Sequence, residues 1–498
     1  MSRRASADIA LPIVLRRAPG APAISDQMAA QLRAATMNGT LRPGDRLPSI
    51  RDLAARLKVA RATVDTAYAQ LVAEGYLETR IGSGTRIAAQ LPQETLSVAS
   101  RTANPRKSSV SSARPLPAQA LRLAGATQMQ SPQRQQALAV GVPTEELSPG
   151  KAWTRIATRL ARTPWKDAGY AAPHGHAPLR AQVADYVRRM RGIRCEPDQV
   201  LITAGTQQGL YLCSRVLFSA GDAVWMENPC YQPLMAVAHD AGLRPVPVPV
   251  DAKGLDVEAG VALAPRAAGA FVTPSHQFPL GMVMSMERRL ALLNWARASG
   301  GWIVEDDYDS ELRYAGRPFP ALLGLEGAGD AVVYLGTFSK MLFPGLRLGY
   351  MIAPPALIPA FAGARLLIDR QSASSEQLLL AEFMAGGHYE AHIRRIKFIF
   401  AARRRVLLDS CREHLSAYGE MVEGDQGMHA VFQLHEGSDD VALGQRLRSA
   451  GIEARPLSPY YNGGEVRRGL ILGFGSFQPG TIRTAVEGIR KVLAESPT

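Results

Sequence analysis

Tyr334-Leu-Gly-Thr-Phe-Ser-Lys340, followed by Met-Leu-Phe-Pro-Gly-Leu-Arg347-Leu-Gly349, sets one lysine just past an apolar run, a hydroxyl three residues before it and an arginine seven after it. The amine can form an imine with an aldehyde while Thr337 and Arg347 hold a phosphate, so the spacing suits a cofactor that carries both groups. Most lysines are solvated surface charges, and the upstream sequence decides against that reading here. Gly301-Trp-Ile-Val304 runs into Glu305-Asp306-Asp307-Tyr308-Asp309, a buried strand that delivers acids to the edge where open α/β sheets bind ligands. One such acid can keep a pyridine nitrogen protonated. Side chains alternate along a strand, so Asp306 and Tyr308 share a face and can reach the ring nitrogen and the phenolic oxygen together, which favours Asp306 over Asp307. The cofactor expected is pyridoxal 5'-phosphate (PLP), with Lys340 as its Schiff-base lysine.

Upstream again, Gln199-Val-Leu-Ile-Thr203 is a buried strand, and Ala204-Gly-Thr-Gln-Gln-Gly-Leu210 turns straight into a helix. Backbone amides at a helix start bind phosphate with help from the helix dipole, which makes Gly205, Thr206 and Gln207 the expected cradle.

With the strand aspartate, the lysine and the Arg-x-Gly in order, residues from about 136 to the end resemble a fold-type I aminotransferase. Arg347 lies one residue closer to the lysine than in many of these enzymes. The resemblance implies that Tyr231, at the end of Glu227-Asn-Pro-Cys-Tyr231, stacks on the pyridine ring. It sets Ala270-Phe-Val-Thr-Pro-Ser-His-Gln-Phe-Pro-Leu-Gly281 where many aminotransferases carry an asparagine for the phenolic oxygen. This chain has His276, Gln277 and Phe278 there, and resembles regulator-type homologues; His276 is expected at the cofactor. The same resemblance implies Arg468, just before Gly469-Leu-Ile-Leu-Gly-Phe474, as the clamp for a ligand carboxylate. Tyr170, in a loop that often completes the partner subunit's site in that fold, is a weaker candidate.

The charge is unevenly spread. The net +13 places +6 in residues 1–90 and +5 in residues 91–135, leaving +2 for residues 136–498. Basic charge so concentrated points to a nucleic-acid partner. Ala23 to Asn38 repeats Ile24, Met28, Leu32 and Ala35 at helical spacing, with Gly39 as a stop. Ile50 to Leu57 predicts a short helix with Ser49 as its cap. Arg61 to Glu74 predicts another, with Val64, Ala67, Tyr68, Leu71 and Val72 on one face. Tyr76-Leu-Glu-Thr-Arg80 and Thr85-Arg-Ile-Ala88, around Ile81-Gly-Ser-Gly84, read as a two-stranded wing. Two short helices, a tight turn and a wing make a winged helix-turn-helix whose second helix enters the DNA major groove. Arg61 and Thr63 lie at that helix's start, where side chains reach bases. Arg51 lies on the helix before it, close to the DNA backbone, and Gly82 and Gly84 let the wing approach the minor groove. Residues 12 to 88 resemble the GntR-type DNA-binding domain, carried by Leu47-Pro-Ser-Ile-Arg-Asp-Leu-Ala54 and Ala60-Arg-Ala-Thr-Val64.

Residues 89–135 are rich in Ser, Pro, Ala and Gln and poor in large apolar groups, which predicts a flexible basic linker. The fold class expected is therefore multidomain. A winged helix-turn-helix, mainly α with a β wing, spans 12–88, and an α/β fold-type I aminotransferase-like, PLP-binding effector domain spans 136–498. Four cysteines with no Cys-x-x-Cys pair and no His cluster suggest neither a disulfide framework nor a metal site. No signal-peptide core and no membrane-length apolar stretch is evident, so the expected compartment is the cytoplasm. The whole architecture resembles the MocR subfamily of bacterial transcription regulators. That resemblance implies a homodimer on double-stranded operator DNA with two half-sites, whose DNA binding responds to PLP or to its aldimine with an amino acid or amine. It also implies that the second domain is not primarily an enzyme. The rival reading is a working aminotransferase with an accessory DNA-binding head.

Overall fold

Three helices and a hairpin follow from local chemistry in the N-terminal unit. In α1 (Ile24–Met37), Met28, Ala29, Leu32 and Ala35 are buried at helical spacing. The Ser49 hydroxyl accepts from the Asp52 amide and so satisfies a free N–H at the start of α2 (Ile50–Leu57). Lys58, in the left-handed region at φ 51°, ends α2 and turns the chain into α3 (Arg61–Ala73). Val64, Ala67, Tyr68 and Leu71 bury one stripe of α3. Val72, expected on that stripe, is exposed, because one residue further along a helix rotates the side chain about 100° out of it. Gly75, at φ 79°, ends α3 and releases the chain into β1 (Leu77–Arg80). That strand pairs antiparallel with β2 (Gly84–Ile87), Leu77 opposite Ile87.

The computed structural model describes residues 11, 13–18, 20–80, 84–91, 116–126, 136–141, 148–162, 169–316, 319–422 and 424–495. They fall into two units, Met1–Pro115 and Leu116–Thr498. Within the stretch expected to be a linker, Ala118–Ala126 is a helix packed on the helix Gln232–Asp240 of the second unit. Composition hides it because its apolar side chains, Leu121 and Leu123, remain exposed.

The second unit is built on an eight-stranded sheet in the order β3-β10-β9-β8-β7-β4-β5-β6. In chain order these are β3 (Val200–Thr203), β4 (Ala223–Asn228), β5 (Arg244–Asp251), β6 (Gly254–Leu255), β7 (Gly269–Val272), β8 (Trp302–Asp307), β9 (Val332–Thr337) and β10 (Gly349–Ile352). β5, β4, β7, β8 and β9 run parallel, while β10 is antiparallel to both β9 and β3. Helices cover both faces, and this is why the strands read as unbroken apolar runs rather than alternating ones. Val304, Val333, Leu335 and Met351 pack into one cluster, and Ile303 and Val332 into another on the opposite face. A four-stranded antiparallel sheet follows in the order β11-β12-β14-β13, from β11 (Gly419–Met421), β12 (His429–Leu434), β13 (Arg455–Pro456) and β14 (Gly469–Gly473). Among the described residues no helix is long and apolar enough to cross a membrane.

Candidate functional site

The ends of β3, β9 and β8 and the start of β10 share one edge of the large sheet. Gly349 stands opposite both Thr203 and Thr337, and Asp307 opposite Gly336. From Thr337 the chain turns through Ser339, whose amide donates to Thr337 Oγ1 at 3.1 Å, and delivers Lys340. A β-carbon built on Gly141 would lie 3.3 Å from Lys340 Nζ, so the segment at Gly141 closes over the amine. Burial lowers the pKa of Lys340; Asp309 and Asp306 oppose that shift and Arg455 adds to it. A lowered pKa raises the fraction of neutral, nucleophilic amine.

Alternation along β8 separates its acids. Asp307 is buried against Arg191 at 2.6 Å and accepts from the Tyr334 hydroxyl at 2.7 Å. Glu305, on the same face, accepts from the Leu322 and Leu323 amides. Asp306 faces the other way, and its Oδ1 is buried without a partner. Burial, with the neighbouring charges of Asp307 and Glu227, pushes its pKa up to about 7, and Lys340 pulls it down. A cationic partner such as a protonated pyridine nitrogen would restore its ionised form.

The cradle expected for phosphate is assembled from three chain segments. Gly205 starts the helix Thr206–Val216 at φ 102°, in the left-handed region that favours glycine. A β-carbon there would lie 3.7 and 3.8 Å from Arg347 Nη2 and Nη1. Gly349 packs on Gly205, where an added β-carbon would approach Gly205 Cα to 2.8 Å. The Ser339 hydroxyl and the Gln207 amide oxygen are buried without partners. A buried unpaired hydroxyl, a guanidinium and the amides of a helix start on adjoining segments fit a phosphate.

Above this edge Phe278 forms the centre of an aromatic wall. Its ring centroid is 5.8 Å from that of Tyr231, 5.5 Å from Tyr460, 6.2 Å from Tyr308 and 5.4 Å from His429. The Tyr231 hydroxyl feels the charges of Asp306, Arg455 and Arg347. His276 is buried beside Tyr308, with Nδ1 bonded to Asp309 and to the Tyr308 hydroxyl.

Two further expectations meet different surroundings. Arg468 donates through Nη1 to the Ser438 carbonyl at 3.0 Å and is exposed, so its guanidinium is engaged at the surface. The guanidinium whose charge reaches Lys340, Tyr231 and His429 is instead Arg455, brought in from β13, where it pairs with Ile471 of β14. This correction has a topological cause: the small sheet sets β13 beside β14, a neighbourhood invisible along the chain. Tyr170 is exposed, with the Arg370 guanidinium 4.3 Å from its ring centroid. Sequence reasoning also passed over Gly141, Asp309, His429 and Arg455; the acidic run ending in Asp309 and the stretch Gly451-Ile-Glu-Ala-Arg-Pro-Leu457, which resembles the small domain of the aminotransferase fold, were the available signals.

On the N-terminal unit, Arg51 and Arg61 are exposed, on α2 and at the first position of α3. Thr63 is half-buried, its amide donating to the Ala60 carbonyl at 3.1 Å. Gly84 opens β2 at φ 81°, with Arg46 alongside. Gly82 lies outside the described residues. Tyr68, set in the core, donates to the Pro48 carbonyl and ties α3 to the turn before α2.

Residues 24–87 match the family of bacterial regulatory proteins, gntR family, and residues 137–470 match aminotransferase class I and II. Fold and site thus define a class, a winged-helix DNA-binding head joined to an aminotransferase-type α/β body. The chain is 36% identical over 468 residues to the probable rhizopine catabolism regulatory protein MocR of Rhizobium meliloti, covering 94% of this chain and 93% of that protein. It is 34% identical over 492 residues to the HTH-type pyridoxine biosynthesis transcriptional regulator PdxR of Corynebacterium glutamicum, covering 97% and 99%. Among solved structures it is similar to LysN, the α-aminoadipate aminotransferase of Thermus thermophilus, complexed with N-(5'-phosphopyridoxyl)-L-leucine. That similarity has a TM-score of 0.68 and 27% identity over 74% of this chain and 96% of that one. The chain belongs to the MocR subfamily of GntR-type transcription regulators.

Proposed function

We propose that this regulator binds double-stranded operator DNA through its winged helix and holds PLP at Lys340 as a sensor for an amino acid or amine. The observation that carries the reading is a pair of unpartnered buried groups, Asp306 Oδ1, whose charge reaches Lys340, and Ser339 Oγ, on the residue before it, at a lysine of lowered pKa. PLP, when bound, supplies an aldehyde that captures amines and a pyridinium ring that withdraws electrons. Lys340 would tether it, with Asp306 toward the ring nitrogen, Tyr308 toward the phenolic oxygen and Tyr231 against the ring. Thr337, Ser339, Arg347 and the amides at Gly205, Thr206 and Gln207 would hold the phosphate. Arg455 takes the carboxylate of an amino-acid effector, the part expected of Arg468. The body then serves to sense rather than to turn over.

Effector binding can shift DNA affinity only by its differential affinity for two arrangements of the heads. A homodimer reading two half-sites is the assembly that such linkage suits. The rival, a working aminotransferase, is supported by one observation: Lys340 and the unpartnered Asp306 Oδ1 are groups that an enzyme would need as much as a sensor.

The test titrates the purified protein against its own upstream intergenic DNA, with and without PLP, beside Lys340→Ala. The wild type should show a visible band from bound PLP and a PLP-dependent change of affinity or footprint, both lost in Lys340→Ala. An unchanged spectrum in the variant would sink the assignment of Lys340. Absence of specific DNA binding would give the lead to the enzyme reading.

A further inference from the structure

His276 links Asp309 and Tyr308 through hydrogen bonds that both meet at its Nδ1. The side chains of His276 and Asp309 are 3% and 0% exposed. Nδ1 of His276 lies 2.9 and 3.0 Å from the two Asp309 oxygens and 3.0 Å from the Tyr308 hydroxyl. A carboxylate with both oxygens facing one nitrogen can only accept, so the ring proton sits on Nδ1 and the N–H faces Asp309 and Tyr308 together. The Tyr308 oxygen therefore accepts on that side, and its own proton is left for another acceptor. Burial, then the charge of Asp309, raises the pKa of Tyr308 well above the ordinary tyrosine range, so that proton is retained. The next two residues of the loop offer no rival side-chain donor. Phe278 presents a ring, and the Gln277 amide nitrogen is committed to Glu227 and to the Pro229 and Phe278 carbonyls.

We propose that Asp309 locks the tautomer of His276 and that the pair holds Tyr308 as the hydrogen-bond donor to the phenolic oxygen of PLP. His276 and Asp309 are on this view positioning residues, which act through Tyr308 without touching the cofactor. The inference rests on the cofactor reading above and adds its control. PLP held by Lys340 would carry one titratable proton beside its phenolic oxygen. A donor at the oxygen stabilises the anionic form and lowers the pH at which that proton leaves. Other charges bear on the same proton: Asp309, Asp306 and Arg455 act on Lys340, and Asp306, Glu227 and Asp307 on Tyr308. His429 lies beside the His276 ring at 5.2 Å, and Arg404 lines the small cavity that both histidines border. The variants must leave all of these in place.

His276→Gln and His276→Asn do so. An asparagine side chain sets its amide nitrogen where Nδ1 lies, whereas glutamine carries it out to the place of Nε2. The readout is the pH midpoint of the visible band of the PLP-loaded protein. His276→Gln should raise that midpoint by about one unit, the scale of one hydrogen bond to a charged group. His276→Asn should stay near the wild type. In a Tyr308→Phe background, His276→Gln should add nothing further. The same shift in both backgrounds, no shift in either, or equal effects of Asn and Gln would overturn the proposal. If His276→Gln does not fold, Asp309→Asn in the two backgrounds decides. The part of its shift that vanishes with Tyr308→Phe reports the relay, and a shift that persists whole overturns it. A wild type without any visible band would instead overturn the cofactor reading, so the two failures are distinguishable.

Discussion

On the N-terminal unit the residues expected to meet DNA, Arg51 and Arg61, stand exposed on α2 and α3, whereas in the second unit Asp306, Tyr308 and Lys340 sit among buried charges that shift one another. The difference is one of reach. An exposed guanidinium meets its partner through water and salt, contributes little to folding, and can be exchanged without loss of the helix beneath it. A buried carboxylate is coupled to every group near it, so its removal is felt in stability, in pH response or in ligand binding, depending on which face of the strand it occupies.

Adjacent residues of β8 give the sharpest test. Asp307→Ala leaves the buried Arg191 without its ion-pair carboxylate, and the second unit should lose about 3–5 kcal/mol, read as a lower Tm. Asp306→Ala, one residue away, removes a carboxylate whose Oδ1 has no hydrogen-bond partner; it should keep the fold and abolish the visible band of bound PLP. Equal stability costs for the two would break the distinction between structural and functional acid.

A smaller effect is expected on the head. Arg61→Ala should cost about 1–3 kcal/mol of specific DNA binding if it reads a base, with Tm and PLP absorbance unmoved. Equal affinity of the wild type for operator and random DNA would contradict that role. Specific binding should also weaken steeply with added salt, as it does where phosphates are contacted.

The smallest effect is one of sign. Burial pushes Asp306 and Glu227 up to about 7. Between their ordinary values and that pH the folded body binds more protons than the unfolded chain, so their contribution to stability is lost as pH rises through about 4 to 7. On the head, hydrogen bonds from Arg33, then Gln70, hold Glu74 below its ordinary value, and its contribution is lost as pH falls. In cofactor-free protein the body's Tm should therefore decline toward neutral pH, and Glu227→Gln should flatten part of that slope. A body whose Tm climbs over this window would refute the assignment.

Much of the head is legible in the sequence because what defines it is local. Ser49 caps α2 three residues from the amide it meets, Gly75 stops α3, and the apolar stripe repeats within one helix. Its limits are local too: Val72 falls one position outside the stripe, and the helix Ala118–Ala126 shows no buried apolar face to read. In the body, strand composition locates Lys340, and alternation separates Asp306 from Asp307, because both depend on neighbours in the chain. What the sequence by itself determined, then, is the order of elements and the side chains each strand end carries, since periodicity and caps act over a few residues. Only the tertiary structure decided that Arg455 rather than Arg468 reaches the lysine, that Gly141 closes over its amine, and that Asp309 and His276 meet behind Tyr308. Those meetings join residues up to about two hundred positions apart, and sheet order and register, not local propensity, bring them together.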